Sequence, residues 1–174
     1  MALIQKSNPI NEDVVIAAIQ TQLYNDLILR GITNYESYER VYLINGVPEL
    51  YIGNGNYKEV YFDDRFNLTS FFLLGETKTI DELGYYSTTL SIIFQADLSQ
   101  LLPTITHRAD AELHDIVKKS LDKVSATMEV KEIVTGISNV YQGLDFENSQ
   151  YLDDVSSYHL FRVNLEIQFS ESCN

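Results

Sequence analysis

The stretch 85–124 constrains the fold of this chain more than any other. Tyr86, Thr88, Leu90, Ile92, Phe94 and Ala96 fall on one side of an extended backbone, while Ser87, Thr89, Ser91, Gln95 and Asp97 fall largely on the other. Successive side chains of a strand point to opposite faces, so this period of two predicts a half-buried sheet strand. A loop through Pro103 leads into His107-Arg108-Ala109-Asp110-Ala111-Glu112-Leu113-His114, the front of an amphipathic helix. Its stripe of Ala109, Leu113, Ile116, Val117, Ser120, Leu121 and Val124 has the helical period and predicts burial on one side. Thr106 stands where an N-cap would. Asp110 and Glu112 lie near the start, and Lys118, Lys119 and Lys123 near the end, the order the helix dipole favours. A strand followed by a helix that folds back over it is the nucleus of an α+β layer.

The partner of that strand is legible further on. Phe161, Val163, Leu165, Ile167 and Phe169 alternate with Arg162, Asn164, Glu166 and Gln168. A strand so long and regular must pair within a sheet, and residues 85–98 are its predicted neighbour, with the polar face turned to water or a partner. Near the start, Glu12 and Asp13 follow Asn11, and Val15, Ile16, Ile19, Leu23 and Leu27 recur at helical spacing up to Gly31. This predicts a helix capped by Asn11 and closed by Gly31, preceded by an N-terminal arm at 1–10.

Region 35–74 carries Tyr35, Tyr38, Tyr42, Tyr51, Tyr57 and Tyr61 and reads as hairpins that expose or half-bury their phenols. Strands are predicted at 38–44, 50–52, 59–62 and 70–74, with Asn45-Gly46 and Gly53-Asn54-Gly55-Asn56 as turns. The second turn lacks the lysine and following helix of a phosphate-binding loop, so it reads as a hairpin tip. Residues 76–84 are polar and predicted to be a surface loop. Residues 128–134 read as a strand with Met128, Val130 and Val134 on one face and Glu129 and Lys131 on the other, continued at 137–141 beyond a bulge at Gly136. Residues 144–155 are acidic and irregular. With no repeat and no low-complexity linker, the expected architecture is a single α+β domain over 1–174. It holds a mainly antiparallel sheet flanked by two principal helices.

Charge limits the partners. Asp and Glu number 25 against 12 Lys and Arg, a formal net charge of −13. Such a surface repels phosphate backbones and anionic lipid, which disfavours direct nucleic-acid binding. The one cysteine, Cys173, offers no disulfide within the chain. The residues after Met1 lack the apolar run of a signal peptide, and no apolar stretch reaches the roughly 20 residues of a membrane helix. The expectation is synthesis in the cytosol.

Candidate chemistry is sparse. His107, Asp110 and His114 stand three and four residues apart, which places them on one helical face and makes a metal site conceivable. The simpler reading is a pair of exposed or interfacial histidines beside Asp110 and Asp115. His159 and Cys173 have nothing in the sequence to bring them together, and Asp63-Asp64 and Asp153-Asp154 are ordinary loop carboxylates. No Gly-x-Ser-x-Gly, His-Glu-x-x-His or Cys-x-x-Cys occurs. The expectation is a protein without catalytic, cofactor-binding or metal-binding residues, and not an enzyme.

In the order of its elements the chain resembles the tail-completion and head–tail-joining proteins of tailed phages, the tail-terminator-like group. The likeness rests on the leading helix at 11–30, the strand at 85–98, the helix at 109–124 and the closing strand Phe161-Arg162-Val163-Asn164-Leu165-Glu166-Ile167-Gln168-Phe169. Phe94-Gln95-Ala96-Asp97-Leu98, Thr106-His107-Arg108-Ala109-Asp110-Ala111-Glu112 and Gly136-Ile137-Ser138-Asn139-Val140-Tyr141 are similar to that group in phages of Bacteroidetes-type hosts, including crAss-like phages. The resemblance implies a structural virion protein, made in the host cytoplasm. It would form a homo-oligomeric ring at the head–tail junction and join the portal or connector to the tail around a DNA channel. It implies no catalytic residue, no cofactor and no membrane, and a net negative charge suits a channel to which DNA does not adhere. Two further expectations come from the residues themselves. One is an accessory module that binds carbohydrate or protein through the tyrosines from Tyr35 to Tyr61. The other is a metal-dependent enzyme using His107, Asp110 and His114.

Overall fold

The structure, a computed structural model, describes residues 2–61, 63–105, 107–145 and 158–170. Its elements in chain order are β1 (Ala2–Leu3), α1 (Glu12–Leu29), β2 (Tyr35–Arg40), β3 (Tyr42–Ile44), β4 (Val47–Gly53), β5 (Asn56–Glu59), β6 (Leu68–Ile80), β7 (Tyr86–Ala96), α2 (Leu98–Leu101), α3 (Ala109–Leu121), β8 (Met128–Thr135), α4 (Ile137–Val140) and β9 (His159–Phe169). Among the described residues the strands form two sheets, one of six strands in the order β1-β2-β6-β7-β9-β8 and one of three in the order β3-β4-β5. The fold is α+β, as the alternation and the helical stripes predict.

The strands at 85–98 and 161–169 pair as expected. β7 and β9 run antiparallel without a break from Tyr86 opposite Phe169 to Ala96 opposite His159. The sheet as a whole is mixed, because β2 lies parallel to both β1 and β6. Parallel neighbours need a long crossover, and two segments supply it: α1 between β1 and β2, and the small sheet between β2 and β6. The arm, patternless in sequence, is thereby held as an edge strand, with the Ile4 amide donating to the Ser37 carbonyl at 2.9 Å.

One face of the large sheet is covered by α1 and α3. Ile16, Ile19, Leu23 and Leu27 of α1 and Leu113, Val117 and Leu121 of α3 close over Leu90, Ile92, Phe94, Phe161, Val163, Leu165 and Ile167. Phe94 and Phe161 sit opposite each other and stack at 4.6 Å with planes 5° apart. Gly31 closes α1 as expected. At φ +87 it lets its amide reach the Ile28 carbonyl and the Ile32 amide reach Leu27, a Schellman closure. Asn11 does not cap with its side chain, because its own φ is +50. The opposite sheet face carries a second core in which Tyr38, Phe71, Ile93 and Leu160 meet Leu50, Val60, Tyr61, Val140 and Tyr141. β7 is therefore covered on both faces from Leu90 to Ala96 rather than half-buried. Gln95 is satisfied inside by accepting from the Thr69 hydroxyl at 2.9 Å and donating to the Tyr141 hydroxyl at 3.0 Å.

Several sequence expectations are corrected. The strand expected at 38–44 is broken at Val41 and shared between the two sheets. The loop expected at 76–84 is strand as far as Ile80, displaced by a bulge between Leu74 and Lys78. Gly75 sits in that bulge, where a Cβ would lie 2.0 Å from the Thr89 hydroxyl. A second bulge between Val130 and Glu132 puts Ile133 rather than Val134 against the core. Residues 137–140 form a helical turn instead of a strand, since Gly136 at φ +84 redirects the chain and drops Val140 into the second core. The loop through Pro103 begins with α2, whose N-terminus is capped by Asp97. The strand expected at 59–62 ends at Glu59, and Phe62 lies outside the described residues. So do the Thr106 cap, most of the acidic stretch 144–155, and Cys173.

Candidate interaction surfaces

The histidines do not assemble as their spacing suggests. Arg108, at φ +58, stands just before the first residue of α3, so His107 precedes the helix and does not share the face of His114. His114 turns instead to His159 at the start of β9, with 2.9 Å between their Nε2 atoms. Both rings rest against Phe161, with centroids 4.6 and 5.6 Å from it. One imidazole donates and the other accepts, which requires that at least one be neutral. Burial, and for His114 also the charge of His159, holds both below the ordinary imidazole range, with Asp110 opposing. Among the described residues no three His, Cys, Asp or Glu side chains come together in a way that holds a metal. The sequence gives no signal for this pair, because its members lie 45 positions apart.

A denser set of charges lies at the base of α1. Lys6 binds Asp13 at 2.6 Å, Arg40 reaches Glu12 at 3.1 Å and Asp13 at 3.2 Å, and Lys78 reaches Glu12 at 3.1 Å. Arg40 and Lys6 each stand 3.4 Å from the Tyr42 hydroxyl, and the Arg40 bond chiefly pulls this phenol below its ordinary range. Glu39 nearby is pushed up by burial. Three cations and two carboxylates, Glu12 and Asp13, thus fasten the arm, α1, β2, β3 and β6 together. In sequence Glu12 and Asp13 read only as helix-dipole groups.

Among the described residues two surfaces group several exposed apolar or aromatic side chains together. The first is the turn between β6 and β7. Asp81 holds it from inside: its Oδ1 accepts from the amides of Leu83 and Tyr85 at 2.9 Å each, and its own amide donates to the Tyr85 carbonyl. Gln168 adds a bond to Oδ2 at 3.1 Å. The fixed turn carries Leu83 at 83 % exposure, Ile80 at 63 % and Tyr85 at 45 %. Beside it Val14, Val15, Tyr85 and Phe169 line a groove of about 360 Å³.

The second surface is the outer face of the small sheet. Asn45-Gly46 and Asn54-Gly55 all have positive φ, as tight hairpins require, and join β3 to β4 and β4 to β5. Tyr51 faces Tyr57 across the strands, and Tyr42 lies next to them, with ring centroids 5.3 Å apart for the first pair and 6.2 Å for Tyr42 and Tyr57. Tyr35, Tyr38 and Tyr61 are buried. Of the six tyrosines of this region, three therefore lie in the core, Tyr51 and Tyr57 are exposed, and Tyr42 is half-buried.

The sequence matches no protein-family model, and no curated protein matches it.

Proposed function

We propose that the chain is a non-enzymatic structural subunit that assembles with copies of itself into a ring. It would act in the manner of the head–tail-joining proteins it resembles, at the neck of a virion between connector and tail. The Asp81-held turn is the observation that carries this reading. Single exposed apolar residues are ordinary, but Ile80, Leu83 and Tyr85 stand together beside the groove of Val14 and Phe169. The turn is already ordered, so docking it against a neighbour costs little conformational entropy. A ring also needs contact between two different patches of the subunit. Away from the turn, Leu29 at the C-terminal end of α1 is a single exposed side chain, 85 % open to water, so the partner patch is for the assembly experiment to locate.

Mass measurement on the native protein tests the reading. The expected result is a closed oligomer that Leu83→Asp converts to monomer without lowering the melting temperature, since Leu83 lies outside both cores. A chain that stays monomeric at its highest soluble concentration, alone and mixed with connector and tail proteins, overturns the proposal.

A further inference from the structure

The outer face of β3-β4-β5 holds an arrangement that its own fold leaves incomplete. Residues directly opposite in an antiparallel pair share a face, and so do residues two apart along a strand. Tyr42 opposite Glu49, Glu49 opposite Glu59 and Tyr51 opposite Tyr57 therefore form one surface. Tyr51 and Tyr57 are 44 % and 43 % exposed. Glu49 and Glu59 face each other across the strands, an unfavourable pairing of like charges. Neither carboxylate has an ion-pair or hydrogen-bond partner among the described residues. Lys58, the nearest lysine in sequence, points the other way, over the Tyr38 ring and toward Asp63.

The rim of this face already shows what the rest accepts. The Arg40 guanidinium lies 5.4 Å from the centre of the Tyr42 ring, a cation over an aromatic face. A cation placed further along, at Tyr51 and Tyr57, would meet two phenol rings and two carboxylates. Sugars prefer a flat aromatic floor, whereas these rings are tilted by 59° and 84° to one another. A second copy of this chain is also poorly equipped to supply the cation. Among the described residues ten of its lysines and arginines are already in ion pairs, and Arg162 bonds Asn164 and the Gln142 carbonyl, which leaves Arg108 alone.

We propose that this face binds an arginine- or lysine-bearing segment of a different protein, with the cation seated between Glu49 and Glu59 and against Tyr51 and Tyr57. The site lies outside the turn at Asp81, so it stands or falls separately from ring assembly, and the monomeric Leu83→Asp variant tests it equally well.

The experiment is calorimetric titration of the full chain with a short Gly–Arg repeat peptide and with its citrulline counterpart, which keeps the shape and removes the charge. Saturable binding of the arginine peptide is expected, with no saturable binding of the citrulline peptide. Glu49→Gln with Glu59→Gln, isosteric and unburdened by refolding, is expected to weaken binding by about tenfold or more, and Tyr57→Ala similarly. Glu76→Gln with Glu82→Gln removes the same charge from exposed positions elsewhere and is expected to leave affinity within about twofold. An equal loss in that control pair, equal binding of the citrulline peptide, or absence of saturation each overturns the proposal.

Discussion

The two faces of the six-stranded sheet are covered by opposite kinds of chemistry. Under α1 and α3 the contacts are mainly aliphatic and phenylalanine, with one polar seam where Gln20, Ser37, Ser70 and Tyr35 bond to one another and a second contact where buried Ser120 of α3 donates to Asp26 of α1. The other face is built around Tyr38, Tyr61 and Tyr141, with Thr69, Gln95 and Tyr141 joined in a buried hydrogen-bonded chain. Beyond that cluster the second face opens to polar bonds of Ser91, Asn164 and Glu132. A helix satisfies its own backbone and can lay a purely apolar stripe on a sheet. Small hairpins are marginal alone, so their attachment depends on side chains that bring both area and a hydroxyl. The helix-covered face is expected to hold the molecule together, and the tyrosine face to hold its appendages in place.

The largest effect is expected from Phe161→Ala. It removes a fully buried ring stacked on Phe94 and bordered by His114, and the loss of unfolding free energy is expected at about 4 kcal/mol in urea titration. A loss below about 1 kcal/mol would mean that the helical face is not the dominant core. Gly75→Ala comes next, at about 2 kcal/mol, because its Cβ would meet the Thr89 hydroxyl at 2.0 Å and the Thr89 carbonyl at 3.1 Å. Adding Thr89→Ala removes the hydroxyl and is expected to recover part of the loss, a coupling that a double-mutant cycle measures directly. Tyr141→Phe follows at about 1 kcal/mol, since it keeps the ring against Tyr61 and takes away the acceptor of the Gln95 amide. Hydrogen exchange in this variant is expected to rise in β3-β4-β5 before it rises in α1 or α3. Uniform loosening would erase the distinction between the two faces.

The same contrast explains what was legible in the sequence. Ile16, Ile19, Leu23 and Leu27 repeat at the helical period, and Phe161 to Phe169 repeat at the strand period, so both halves of the first core announce themselves. The second core has no such rhythm. Ile93 sits between Ile92 and Phe94, which hides the burial of both strand faces, and the side chains that cover it come from the distant hairpins on one side and from Val140 and Tyr141 on the other. Tyr38 and Tyr57 look alike in sequence, yet one is buried and the other exposed, because strand pairing alone decides the face. Bulges at Gly75 and after Val130 defeat alternation for a similar reason, since an inserted residue reverses every side chain beyond it. The turn at Asp81 was readable only as polar loop. Its hydrogen bonds, not its composition, make it rigid.

The smallest predicted effect separates the rim of the helical face from its interior. His114 and His159 meet where α3 crosses the start of β9, and both titrate below the ordinary value in the folded chain. In the unfolded chain each takes up a proton near pH 6.5, whereas the folded pair resists until the pH is lower. Between those values the unfolded state binds more protons, so stability falls as pH drops through the ordinary histidine range and levels off below the folded values. Asp110 on α3 opposes the shift, and both rings are only half-buried, so the expected loss between pH 7 and pH 5.5 is smaller than that of any substitution above. Thermal melts across that window measure it, with His159→Gln expected to flatten the dependence because glutamine can bond to a neutral His114 without titrating. A rise in stability on acidification would instead mean that attraction to Asp110 outweighs burial. In that case the rim would be held by charge, and only the interior of the helical face by packing.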